Sequence, residues 1–190
     1  MRKKKKLFII IVQIAISVLV TTWVYGFNSG DLLKIMRNKN PKDCPNCDLS
    51  SAHLKYKDLS GADLRNADFT DADLSHANLT NAKLSGAKLT HADLSYASLS
   101  GADLTDANLN NSRMVFAILN KANLRDATLI GARMNYTKLI EADLTNTNLS
   151  NAILSGAELT RANLTEAKMN NVIWIDGNKC KEGSIGECKN

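Results

Sequence analysis

Four cysteines and three histidines are the side chains of this 190-residue sequence whose types could do chemistry. Cys44 and Cys47 form a Cys-Pro-Asn-Cys run, and Cys180 and Cys188 stand near the C-terminus. A C-x-x-C pair supports thiol–disulfide exchange when a thioredoxin-like βαβ context lowers one thiol pKa, and no such pattern surrounds Cys44 and Cys47. Zinc would need one cysteine pair to dock on the other. His53, His76 and His91 are scattered, and no Ser-His-acid or paired-carboxylate arrangement recurs at a coherent position. The residues therefore predict a protein that is not an enzyme, with no cofactor and no metal site.

The elements that must position these residues are unusual in composition. Aromatics make up 5% of the chain, with only 2 Pro and 10 Gly, whereas 44% is hydrophobic. A layered sandwich or α/β core would carry more aromatic and β-branched residues, and a disordered chain fewer hydrophobic ones. The formal charge of +5 suggests an affinity for nucleic acid until it is located. Residues 1–6, MRKKKK, hold one Arg and four Lys, which account for all of it. The remaining chain has as many acids as bases, so no nucleic-acid partner is expected.

Residues 7–25, LFIIIVQIAISVLVTTWVY, contain no charged side chain. Nineteen helical residues reach roughly 28 Å, close to the bilayer's hydrocarbon thickness. A basic cluster before such a run stays in the cytoplasm and directs the chain beyond the run outward. Residues 1–26 therefore read as a signal peptide or signal anchor. The length of the run and the flanking Trp23 and Tyr25 favour an uncleaved anchor, with the rest of the chain extracytoplasmic, periplasmic or secreted.

From Asp48 onward the sequence repeats every five residues, as in KDLSG, ADLRN, ADFTD and ADLSH over residues 57–76. The large apolar centre recurs from Leu49 to Met169 without an insertion, twenty-five units in all, with a small residue, nearly always Ala, two positions earlier. On an α-helix five residues turn 500°, so successive leucines would wrap around every face. On a straight strand an odd period would alternate faces. The period fits a chain extended within each unit and turning a corner between units, with Ala and Leu inward. Gly61, Gly86, Gly101, Gly131 and Gly156 fall at such corners. Units that cannot bury their own apolar side must stack, which makes a solenoid.

These residues resemble the pentapeptide-repeat family, whose signature is A-(D/N)-L-x-x. The resemblance covers residues 47–174 and implies an all-β solenoid, a right-handed quadrilateral parallel β-helix with four units per coil. Twenty-five units would make about six coils and, at roughly 4.8 Å per rung, a rod on the order of 30 Å long. Residues 27–46 read as an N-terminal cap, with a short helix over 31–38 started by Ser29 and ended before Pro41. Residues 175–190 read as a C-terminal cap beneath Trp174. The cysteines lie only in these caps and resemble the CP-x-C and C-x7-C end motifs of exported family members. Three pairings exist for four cysteines; local closure, Cys44–Cys47 and Cys180–Cys188, is favoured because a rod of that length keeps its ends apart.

With a twenty-residue coil, positions twenty apart stack. Tyr56, His76, Tyr96, Phe116 and Tyr136 follow that interval through five coils, and every outward Phe or Tyr of the solenoid is among them. His53, Asp73, Asp93, Arg113 and Arg133 form a neighbouring column, and Val115 and Ile118 flank Phe116. Such a column either stiffens one corner by stacking or serves as a binding stripe, Tyr and Arg being frequent at binding hot spots. The expectation is a non-catalytic extracytoplasmic scaffold or protein-interaction module. Its candidate stripe is Tyr56, His76, Tyr96, Phe116, Tyr136, Arg113 and Arg133, facing a protein or glycan partner or a second rod. The alternative is the topoisomerase-binding, DNA-mimicking activity known in the family. Residues 47–174 carry 12 Lys/Arg and 14 Asp/Glu with the signs interspersed, and a mimic needs a strongly negative surface.

Overall fold

A leucine at every fifth position can face one interior only if the chain bends at every unit, and the computed structural model of the protein does so. The structure describes residues 30–31 and 43–189. Every residue preceding a centre pairs in parallel with the residue twenty further on, from Asp48 with Asp68 through to Ile153 with Ile173. Four units thus close one coil, and the rod has four flat faces. The first face carries the column beginning at Asp48, the second that at His53, the third that at Asp58 and the fourth that at Asp63.

The unit Ala72–His76 shows how five residues satisfy their own backbone. The Ala72 amide closes the turn onto the Phe69 carbonyl at 3.0 Å, and the Asp73 amide reaches down to Ala52 at 3.0 Å. Leu74 and His76 donate up to Asp93 and Ser95 at 2.8 and 2.9 Å. The fifth amide, Ser75, is met by the Asp73 carboxylate at 3.0 Å. That last bond explains the Asp or Asn before the centre. It is an Asx turn that accepts the one amide of the unit with no backbone partner. The same contact recurs in Ser60–Asp58, Thr105–Asp103 and Thr165–Asn163.

Alanine and leucine fill the interior. Every centre from Leu49 to Leu154 is 0–1% exposed, and burial of each such side chain is worth about 1.5–3 kcal/mol before conformational entropy. Where the inward alanine is replaced, the polar atom needs a partner. Thr137 donates its hydroxyl to the Met114 carbonyl at 2.8 Å and Thr147 to that of Leu144 at 2.7 Å. The second residue of each corner has φ near +60°, the left-handed region. Glycine occupies some corners without penalty, but most hold Asn, Asp or larger side chains.

The C-terminal end of the rod is closed by the tail. It turns after Trp174, whose amide donates to Asn178 at 2.7 Å, and runs back antiparallel, pairing Lys179 with Ile173 and Ile185 with Lys168. The Met169 amide, which has no further coil to reach, donates to Ser184 at 2.9 Å. An exposed edge is thereby covered by the chain itself. Trp174 packs half-buried against the core. At the other end Gly30 and Asp31 are helical, and an Asp31 carboxylate oxygen accepts the Asp48 amide at 3.1 Å. The remainder of the expected cap helix, residues 32–38, lies outside the described residues, as do residues 1–26. Among the described residues no helix is long and apolar enough to cross a membrane.

Candidate interaction edge

The corner between the second and third faces differs from the other three. It carries Tyr56, His76, Tyr96, Phe116 and Tyr136, each in the left-handed region with φ between +56° and +60°. An aromatic side chain rarely adopts that backbone, and a non-glycine residue there costs on the order of 1 kcal/mol. The rungs supply the compensation. Coils repeat at about 4.8 Å, which is a favourable separation for stacked rings. Successive ring centroids lie 4.8, 4.8, 5.2 and 5.0 Å apart, with interplanar angles from 4° to 25°. The Lys55 ammonium sits 5.2 Å from the Tyr56 ring, and the ring of Tyr136 lies over Gly156 at the next corner up.

This geometry decides what the edge offers. Within the column each inner ring has both faces occupied by its neighbours, so the rings present edges and hydroxyl groups outward. Tyr56, Tyr96, Phe116 and Tyr136 remain 69, 52, 44 and 56% exposed. A sugar that stacks on an aromatic face finds few faces here, while a protein surface meets a continuous ridge of ring edges. Ile118 stands exposed beside Phe116 on the third face, and Val115 is half-buried.

The neighbouring column on the second face places Arg113 and Arg133 on exposed positions directly above Asp73 and Asp93. Burial would raise the Asp73 carboxyl, but hydrogen bonds from Ser75 and the nearby Lys55 and His53 charges hold it below the usual carboxylate range. The other described arginines of the rod and some of its lysines are paired within the chain: Arg65 with Asp63 at 2.6 Å, Lys88 with Asp68 at 3.4 Å and Arg125 with Asp143 at 3.3 Å. Arg161 and Lys121 both reach Glu141, at 3.2 and 3.7 Å. Among the described residues Arg113 and Arg133 make no ion pair. The structure thus gathers all seven stripe residues on one edge, with His53, Asp73 and Asp93 beside them. His91 lies at a different corner.

Cys44 and Cys47 are bonded with their Cα atoms 5.4 Å apart, and Cys180 and Cys188 with theirs 5.1 Å apart. Asp31, Cys44 and Cys47 bring one ligand-type atom each within 4.8 Å of one another. Sulfurs joined to each other are not thiolate ligands, so the cluster is a covalent clip at the rod's base. No spacing or motif signals the Asp31 contact, which joins residues seventeen apart in the chain.

The family model for pentapeptide repeats matches residues 43–81, 82–115, 107–146 and 142–173. No curated protein matches the chain. Among solved structures, a pentapeptide repeat protein from the Arabidopsis thaliana thylakoid lumen is 29% identical, with a TM-score of 0.49 over 50% of this chain and 66% of its own. HetL, a pentapeptide repeat protein involved in heterocyst differentiation regulation in the cyanobacterium Nostoc, is 34% identical, with a TM-score of 0.41 over 72% of this chain and 76% of its own. Full-length QnrB1, a plasmid-mediated fluoroquinolone resistance protein, is 22% identical, with a TM-score of 0.29 over 70% of this chain and 75% of its own. The unbroken five-residue register and the matched repeats show that the chain belongs to the pentapeptide-repeat family, whose members are right-handed quadrilateral β-helices.

Proposed function

We propose that this protein is a non-catalytic interaction module that works outside the cytoplasm, is held at the membrane by residues 7–25, and engages a protein through its aromatic–arginine edge. The observation that carries the reading is the edge itself. Five ring side chains occupy left-handed corners, stay exposed and stand beside two arginines that pair with no acid among the described residues. Stacking alone would stiffen the corner, but it gives no reason for Arg113 and Arg133. A protein partner fits better than a glycan because the ring faces are occupied by one another.

Two features support the location. The basic cluster and apolar run at residues 1–25 have the order of an export signal or anchor. The disulfides at both ends suit an oxidising compartment. DNA mimicry draws no support from the surface, where acids such as Asp73, Asp143 and Glu141 accept Asx-turn amides or pair with neighbouring cations. The test is a pair of reporters fused after Asn190, one active only outside the cytoplasm and one only inside, combined with a Y96S/F116S/Y136S variant. Serine already occupies a left-handed corner at Ser51, so the variant should fold. Outside activity, with loss of the variant's photo-crosslinked protein partner, is expected. Inside activity, or an unchanged partner, contradicts the proposal.

A further inference from the structure

Along the column of the second face that begins at His53, the acids and arginines are sorted by height. Asp73 and Asp93 lie in the lower coils and Arg113 and Arg133 in the two above, in one column joined by parallel bridges. The aromatic column beside them runs Tyr56, His76, Tyr96, Phe116 and Tyr136, and ends at Gly156, where Tyr136 leans over bare backbone. A column with acids below and bases above is complementary to its own inverted copy, which is the condition for an isologous two-fold contact.

We propose that this edge docks on the same edge of a second copy of the chain, antiparallel, about a two-fold axis lying between the coil of Asp93 and the coil of Arg113. This names the protein partner and rests on the reading of the edge as a binding surface. In this register Asp93 faces Arg113 of the second copy and Asp73 faces its Arg133, and the two-fold repeats both pairs. Tyr96 comes opposite Phe116, and His76 opposite Tyr136. Tyr56, the most exposed tyrosine of the column at 69%, comes opposite Gly156, the one corner of that column without a side chain.

The competing arrangements are worse electrostatically. Parallel rods set every charge of the column against its own copy. Moving the axis by half a coil places Asp93 on Asp93 or Arg113 on Arg113. A full coil sets Asp73 on Asp93 or Arg113 on Arg133. The remaining outward column of this face adds no like-charge contact, since Lys55 comes opposite Ser155. Like charges across an interface select against a register, while opposite ones fix it. One face of a slender rod is small beside the about 800 Å² per partner of a standard interface, so this contact belongs to the weak class.

The test is sedimentation velocity of the full chain in nonionic detergent, loaded from about 5 to about 200 µM to span weak association. The expected result is a protein mass that doubles across the range. D73R/D93R and R113D/R133D should each weaken association at least about tenfold. An equimolar mixture of the two, or all four reversals in one chain, should restore it. That rescue also separates lost docking from lost folding. Wild type that stays monomeric at the highest loading overturns the second copy, and reversals that leave association unchanged overturn the charge-paired antiparallel register. Capture of a protein of different mass by p-benzoylphenylalanine at position 96 in monomeric wild type overturns only the second copy and leaves the edge reading standing. Association that survives both the charge reversals and Y96S/F116S/Y136S overturns the edge as the contact.

Discussion

Substituting Gly156 with alanine adds a side chain where the aromatic column ends, and Gly61 supplies the control. Both glycines are left-handed, with φ of +72° and +65°. Alanine there costs roughly 1 kcal/mol from backbone strain alone. A Cβ at Gly61 meets nothing within 4 Å, so Gly61→Ala should cost that amount and no more. At Gly156 the new Cβ falls 2.6 Å from both Cδ1 and Cε1 of the Tyr136 ring. Carbon atoms rest about 3.5–4.0 Å apart, so the ring must swing away. It then forfeits its stack on Phe116 at 5.0 Å, worth about 0.5–1.5 kcal/mol. Gly156→Ala should therefore cost about 1.5–2.5 kcal/mol. Urea unfolding followed by circular dichroism reads both values from the shift in midpoint, and a Tyr136→Ala background isolates the ring. In that background the excess should vanish. Equal costs at the two glycines, or an excess that survives loss of Tyr136, would refute the ladder as an energetic unit.

The interior and the Asx turns yield two further outcomes. Ser112 occupies an inward alanine position with its hydroxyl buried and without a hydrogen-bond partner, so Ser112→Ala should stabilise the rod by about 1 kcal/mol in the same assay; a loss of stability would show that the hydroxyl is satisfied. Burial would raise the carboxyls of Asp68, Asp73 and Asp143, yet hydrogen bonds from Thr70, Ser75 and Thr145 and nearby cations outweigh it and set them below their reference value of 3.8. Their contribution is therefore complete above the unfolded value and lost as pH falls through the lower folded values. Melting temperature should be insensitive to these groups near neutrality and fall steeply below about pH 4, whereas stabilisation on acidification would contradict the Asx-turn reading.

The fold was legible because its determinants are local and repeated. Ala and Leu two apart must share one side of an extended segment, and a period of five cannot be reconciled with a helix or a straight strand. The aromatic column was legible for the same reason, once twenty residues made a coil. What escaped the sequence depends on contacts between distant segments. Residues 175–189 have no period to read, yet their closure of the last coil pairs Ile185 with Lys168 and Lys179 with Ile173. The Asp31 contact with Asp48 joins residues seventeen apart across the base. Residue types alone also left the partner as protein or glycan. Only the ring orientations, with faces turned to each other at 4.8–5.2 Å, leave the ring edges as the outward surface of the column. That Arg113 and Arg133 pair with no acid among the described residues while Arg65 and Arg125 do is likewise a matter of side-chain placement, not of composition.

The central claim is that one corner of four is the contact surface. The most direct measurement places the photo-reactive residue p-benzoylphenylalanine singly at position 96 and at positions 106, 111 and 121, which lie on the other three corners, and irradiates intact cells. A protein adduct is expected from position 96 and none from the other three. Adducts of equal yield from all four corners, or from the other three without position 96, would contradict the claim.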